Sequence, residues 1–253
     1  MKILMNRILK SVKQKTIAHR LHYARIGYVD MDKDFFPVYE KCKLYTMTSL
    51  ERMYALYKAV KYVVEQKIEG DFVECGVWKG GSAMLIAATL VQLKCFDKKI
   101  YLYDTFEGMS SPSEKDKSYA GKTAKKLLKN SKNNKEESNI WCFCTLEHVK
   151  QNFSTINYPN ANVFYIKGKV EETINANNHE KIALLRLDTD WYESTYHEMT
   201  YLYPVLEKSG VLIIDDYGYW QGAREAIDQY CSENKIHILL NRIDYTGRIA
   251  VKI

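Results

Sequence analysis

Four carboxylates stand at the ends of two apolar runs: Leu187-Asp188-Thr189-Asp190 closes the run 182–187, and Ile214-Asp215-Asp216 closes the run 211–214. Short runs of this kind read as strands buried on both faces. Neighbouring strands lie about 5 Å apart, so adjacent strand ends would gather these acids into one pocket. Like charges that close repel unless a cation joins them. Oxygen donors without His or Cys suit Mg2+, Mn2+ or Ca2+ rather than zinc. Capping of a following helix explains one acid per strand, but not Asp215 and Asp216 side by side.

A second constellation is Val73-Glu74-Cys75-Gly76-Val77-Trp78-Lys79-Gly80-Gly81-Ser82. A strand runs into glycines and then a helix. Gly76 permits a tight turn with close backbone approach, and Gly80 and Gly81 open the helix N-terminus. Such a terminus receives a nucleotide or an amino-acid carboxylate. Trp78 stands where a dinucleotide fingerprint has its central glycine, which leaves less room for a pyrophosphate and favours a cofactor without phosphates. Asp104, 24 residues after Gly80 at the end of the next strand, can accept hydrogen bonds from ribose hydroxyls, with Glu107 as a competitor. Asp188-Thr189-Asp190 also reads as a DxD motif, which in a metal-dependent glycosyltransferase holds a metal and a nucleotide-sugar diphosphate. Among the histidines, His19 and His22 sit on a basic arm and the other four are isolated, so they add no catalytic signal.

The elements that must position these residues alternate. A helix is expected over 49–65, with Thr48 as N-cap and Glu51 completing a capping box. Strands follow at 72–76, 100–104, 163–166, 182–187 and 211–214, and helices at 82–93, 145–153, 192–208 and 221–233. The chain closes with an antiparallel pair, 236–240 and 248–253. Repeated strand–helix units with such an ending indicate a doubly wound, mostly parallel α/β sheet with an antiparallel C-terminal edge. In such sheets ligands sit beyond the carboxyl ends of the strands, where both constellations lie. Residues 107–140 interrupt the alternation with a Ser-, Lys-, Asn- and Gly-rich stretch lacking an apolar period, read as a polar lid.

Of the 253 residues, 46% are hydrophobic and 27% charged, enough for a large core in one domain. The net charge of +6 is local: residues 1–27 carry seven Lys or Arg and no acid, leaving 30 basic and 31 acidic residues elsewhere. A nearly neutral body argues against nucleic acid as a partner. Apolar positions at Ile3, Leu4, Ile8, Leu9, Val12, Ile17 and Leu21 make residues 3–23 a basic amphipathic helix. It would either dock on a second subunit, giving a homo-oligomer, or make weak contact with an acidic membrane surface. No run is long enough for a transmembrane segment, and Asn6, Arg7 and Lys10 interrupt any signal-peptide core. Six scattered cysteines, with only Cys142 and Cys144 paired as CxC, fit reduced thiols and a cytoplasmic location.

The residues also resemble a known family, the macrocin O-methyltransferases that methylate sugar hydroxyls in antibiotic biosynthesis. The resemblance spans roughly 35–235. It begins at Tyr45-Thr46-Met47-Thr48-Ser49 and continues through Gly70-Asp71-Phe72 and the glycine loop. It takes in Tyr103-Asp104-Thr105-Phe106-Glu107-Gly108-Met109, Lys167-Gly168, Asp188-Thr189-Asp190-Trp191-Tyr192-Glu193-Ser194-Thr195, Leu202-Tyr203-Pro204 and Asp215-Asp216-Tyr217-Gly218-Tyr219-Trp220-Gln221-Gly222-Ala223. It implies a Rossmann-like class I methyltransferase domain over 35–253, with residues 1–34 as the arm. It implies S-adenosylmethionine bound by Thr46, Ser49, Glu74, Gly76, Gly80, Ser82, Asp104 and Gly168. It implies Mg2+ (or Mn2+) on Asp188, Asp215 and Asp216, with Asp188 also the general base, and a sugar-containing small molecule as acceptor. The lysine-rich stretch from Lys115 to Lys135 departs from the family's usual lid.

Overall fold

The computed structural model describes residues 28–131, 138 and 140–253. The amphipathic helix expected over 3–23 lies outside the described residues. Residues from Pro37 onward form one compact unit, which carries the sheet and the site.

Helix α1 (Phe35–Cys42) leads through a 3-10 turn, Lys43–Tyr45, to α2 (Leu50–Glu65). Alternating units follow: β1 (Asp71–Cys75), α3 (Gly81–Gln92), β2 (Ile100–Asp104), α4 (Ala124–Asn130), α5 (Leu146–Phe153), β3 (Val163–Lys167), α6 (Val170–Thr173), β4 (Ile182–Leu187), α7 (Tyr192–Leu202), β5 (Leu206–Ile214) and α8 (Gln221–Glu233). The chain ends in β6 (Asn241–Arg242) and β7 (Arg248–Val251). The sheet order is β3-β2-β1-β4-β5-β7-β6. Strands β1 to β5 are mutually parallel, and β7 runs antiparallel to both β5 and β6. This is the doubly wound sheet with an antiparallel edge that the pattern implied. The winding reverses between β1 and β4, which opens a crevice at their carboxyl ends. Every residue of β4 is buried, as a strand covered by helices on both faces requires.

Several boundaries differ from the sequence expectation, each for a local reason. Helix α2 is capped by Ser49, whose hydroxyl accepts from Arg52 N, and not by Thr48. Thr48 is instead tied to Thr46, whose Oγ1 accepts from the Thr48 N–H. The helix expected over 192–208 stops at Leu202, because β5 takes over at Leu206, where it pairs with Ile182. Residues 236–240 form no strand. Ile236, Ile238 and Leu240 do pack on the core cluster, which accounts for the alternation, but only Asn241 and Arg242 pair with β7.

Residues 107–131 are more ordered than their composition suggested. Helix α4 buries Ala124 and Leu128, one turn apart, in a cluster with Trp191, Trp220 and Ala223. Isolated bridges join Lys117 to Thr123 and Ser118 to Trp220. Asp116, only 1% exposed, fastens the segment: its carboxylate accepts from Ser113 N, Ser113 Oγ and Tyr192 N. Two inward residues among the eight lysines of 107–140 leave too weak a period to read, and the remaining cohesion comes from these hydrogen bonds. Among the described residues no helix is long and apolar enough to cross a membrane.

Candidate active site

A single cavity spans the switch point and is lined by both constellations. On one side stands the glycine loop. Gly76 has φ +85°, and a Cβ there would sit 2.0 Å from the Asp188 carbonyl oxygen, so only glycine lets the ends of β1 and β4 approach this closely. Gly81 opens α3 against the 45–46 segment, where a Cβ would meet the Tyr45 carbonyl carbon at 2.6 Å. Thr46, Gly76, Ser82, Asp104 and Gly168 line the cavity. Asp104 Oδ2 accepts from Val77 N at 2.7 Å and Trp78 N at 3.2 Å, while Oδ1 accepts from Phe106 N at 2.6 Å. Its carboxylate therefore holds the loop in shape while facing the cavity. Burial pushes the Asp104 carboxyl up, against the lowering by these N–H donors. Its competitor Glu107 is turned outward, paired with Lys167.

Three other residues expected in the cofactor set stand behind this wall. Ser49 caps α2 and donates to Asp244 Oδ2 at 2.7 Å. Gly80 is the N-cap of α3 with φ +89°. Glu74 is fully buried and accepts from Arg186 Nη1 at 2.9 Å.

Across the cavity, β4 runs directly into Asp188 and β5 into Asp215 and Asp216. The ladder continues one residue past each strand, with Asp188 N donating to Cys75 O and Asp215 N to Leu187 O. These bonds bring carboxylate oxygens of Asp188, Asp215 and Asp216 within 4.8 Å of one another. Asp190 also lines the cavity, held in the left-handed region at φ +69°. Burial drives the Asp188 carboxyl well above its usual range, opposed by Arg186 and reinforced by Asp215 and Asp216. Asp216 is likewise pushed well up by burial, then by Asp190 and Asp215. Asp190 rises to about 7 through burial and the charge of Asp188.

Two arginines answer this charge, and neither was singled out from the sequence. Arg186 is 2% exposed, and its Nη2 lies 2.8 Å from both Asp188 Oδ2 and Asp215 Oδ1. Arg52 reaches from the first turn of α2, donating from Nη1 to Asp215 Oδ2 and from Nε to Asp244 Oδ2 at 3.0 Å. The available signal for Arg186 was a charge inside an otherwise apolar strand, which must find partners when buried. Arg52 carried no such signal, because its partners lie 163 and 192 residues away. Two guanidiniums still face six carboxyl groups (Glu74, Asp188, Asp190, Asp215, Asp216 and Asp244), and Asp216 Oδ2 is buried without a hydrogen-bond partner. An acid excess with an orphaned oxygen is the donor set a hard divalent cation needs, so the residues present fit one.

The sequence profile of the macrocin-O-methyltransferase family (TylF) matches residues 40–251. The chain belongs to that family. Demethyldecarbamoylnovobiocin O-methyltransferase of Streptomyces niveus is 29% identical over 203 residues, covering 80% of this chain and 74% of the relative. The 8-demethyl-8-(2,3-dimethoxy-alpha-L-rhamnosyl)-tetracenomycin-C 4'-O-methyltransferase of Streptomyces olivaceus is 32% identical, with the same coverage. The solved structure of the O-methyltransferase NovP superposes with a TM-score of 0.72 at 29% identity, covering 82% of each chain. The macrocin-O-methyltransferase homologue described here is thus an S-adenosylmethionine-dependent O-methyltransferase, and its sheet is the Rossmann-like one expected.

Proposed function

We propose that this methyltransferase acts on a sugar hydroxyl of a glycosylated small molecule, with a divalent cation, Mg2+ or Mn2+, held by Asp188, Asp215 and Asp216. The observation that carries the reading is the acid trio at two neighbouring strand ends, with one buried oxygen of Asp216 left unpartnered. Support for a sugar comes from the relatives, among them the one that methylates a rhamnosyl group. When bound, a divalent cation lowers the pKa of a coordinated hydroxyl, and S-adenosylmethionine carries the methyl group to be transferred.

The chain's own residues do the rest. Gly76 and the α3 N-terminus at Gly81 and Ser82 receive the cofactor, with Thr46, Asp104 and Gly168 completing its side of the cavity; Ser49, Glu74 and Gly80 support that wall from behind. Asp188 Oδ2 is engaged by Arg186, which leaves Oδ1 to take the acceptor hydroxyl's proton. The acceptor oxygen forms its bond to the methyl carbon as the carbon–sulfur bond breaks, the electron pair going to sulfur. Arg186 steadies the Asp188 carboxylate through the step, and the wall of Trp191, Trp220 and α4 keeps water from one side of the site. In the same reading, residues 35–253 form the methyltransferase domain, 107–140 its cap, and 1–34 a basic arm.

The alternative of a glycosyltransferase built on Asp188-Thr189-Asp190 gives no role to Asp215 and Asp216 or to the glycine loop, and family membership counts against it. The test is methyl transfer from labelled S-adenosylmethionine to a panel of glycosides and their aglycones, with Mg2+ or with a chelator. Label on the sugar, lost with the chelator, is expected. Turnover that survives chelation removes the cation, and label on the aglycone removes the sugar.

A further inference from the structure

We propose that Arg52 is a positioning residue: its guanidinium, clamped between Asp215 and Asp244, holds the Asp215 carboxylate in register with Asp188 and Asp216. The proposal rests on reading that trio as a cation site. Arg52 is 10% exposed at its side chain and lines the cavity. Its Nη1 donates to Asp215 Oδ2 and its Nε to Asp244 Oδ2 at 3.0 Å.

The anchor at Asp244 is itself held by three further hydrogen bonds. Its Oδ2 also accepts from Ser49 Oγ at 2.7 Å, and its Oδ1 accepts from Thr246 N at 2.9 Å and Gly247 N at 2.7 Å. The loop between β6 and β7 packs directly on the arginine stem, since a Cβ on Gly247 would sit 2.8 Å from Arg52 Cδ. The same loop holds the Asp215 backbone, because Thr246 Oγ1 donates to the Asp215 carbonyl at 2.8 Å. Helix α2 and this loop thus grip Asp215 at both main chain and side chain. From the opposite side Arg186 Nη2 approaches Asp215 Oδ1 at 2.8 Å. A counter-charge alone would need neither the fork nor the anchor. A planar guanidinium that bridges two carboxylates fixes a direction as well as a charge.

Positioning and simple charge compensation predict opposite outcomes for cation binding, so Mn2+ alone serves as the probe. Free Mn2+ is titrated by electron paramagnetic resonance against the full chain, and S-adenosylhomocysteine binding is followed by calorimetry as a control for the cofactor half. Arg52→Lys keeps the charge and loses the fork; Arg52→Gln loses both. Positioning predicts Mn2+ affinity weaker by roughly tenfold or more in each, as for other residues that orient metal ligands, with S-adenosylhomocysteine affinity unchanged. Wild-type affinity in Arg52→Lys, or tighter binding in Arg52→Gln, overturns the proposal in favour of a counter-charge. Wild-type protein that binds no Mn2+ instead defeats the cation reading itself, and this inference with it. Should both Arg52 variants fail to melt cooperatively, Ser49→Ala decides. It leaves every charge in place and loosens Asp244, so weaker Mn2+ binding supports the clamp and unchanged binding overturns it.

Discussion

The two halves of the cavity are built on different physics. The cofactor half is a backbone structure. A glycine with positive φ, a helix N-terminus and one carboxylate receiving three N–H groups shape it within about thirty residues of chain. The acid half is a side-chain structure. Asp188, Asp190, Asp215 and Asp216 are held against their own repulsion by Arg186 beneath and Arg52 from a distant helix. A backbone site depends on steric fit at a few glycines, whereas a charge cluster depends on partners that must all arrive. The first half should fail through geometry and the second through unpaired charge.

The largest effect belongs to the acid half. Arg186→Met strands Glu74, Asp188 and Asp215 in the interior, and breaking a buried ion pair from one side costs about 3–5 kcal/mol. Urea unfolding of that variant tests it. Partial recovery in Arg186→Met with Glu74→Met, which leaves only Asp188 and Asp215 without the guanidinium, would show that unpaired charge and not lost packing is responsible. Gly76→Ala attacks the other half, forcing a Cβ toward the Asp188 carbonyl at positive φ, for a loss of roughly 3 kcal/mol. Calorimetry should find S-adenosylhomocysteine binding gone; retained binding would mean the half is not set by backbone fit.

Asp216→Asn separates the halves functionally. S-adenosylhomocysteine should bind as in wild type while metal-dependent turnover falls by about 100-fold or more; equal loss of both would merge the two halves into one unit. Leu128→Ala tests the cap that joins them, at about 2 kcal/mol, read as faster proteolytic cleavage within 107–140 with the core melting little changed.

The smallest effect is one of pH. Burial raises the Asp244 carboxyl, but the Gly247 and Thr246 N–H groups, the Ser49 hydroxyl and the Arg52 charge outweigh it and hold the group below its usual value. A depressed carboxyl stabilises the fold above the unfolded pKa of about 4 and loses that contribution as pH falls through the folded value. Melting temperature measured from pH 6 down to pH 3 should therefore drop less steeply in Asp244→Asn than in wild type. Equal slopes would mean that the loop between β6 and β7 does not contribute through charge.

Legibility in the sequence followed the same division. The glycine loop, Asp104 and the paired acids were readable because each is announced by its neighbours: a strand period, then glycine or acid, then a helix. The doubly wound sheet and its antiparallel edge were implied by the alternation and the closing apolar runs, whereas the order of the strands was not. The cap was not, because Ala124 and Leu128 are outnumbered by lysines. The partners of Glu74 and Ser49 were not legible for a related reason. Both sit inside motif segments, yet Glu74 is paired with Arg186, and Ser49 serves the helix cap and Asp244.

By itself the sequence determined the fold class, the glycine loop and the carboxylates that line the same cavity, because period, turn chemistry and residue type act over a few residues. Only the tertiary structure decided how those carboxylates are kept together. Charge partners act through space, and the chain brings Arg52 to Asp215 and Asp244 by closing loops of 163 and 192 residues that no local pattern records.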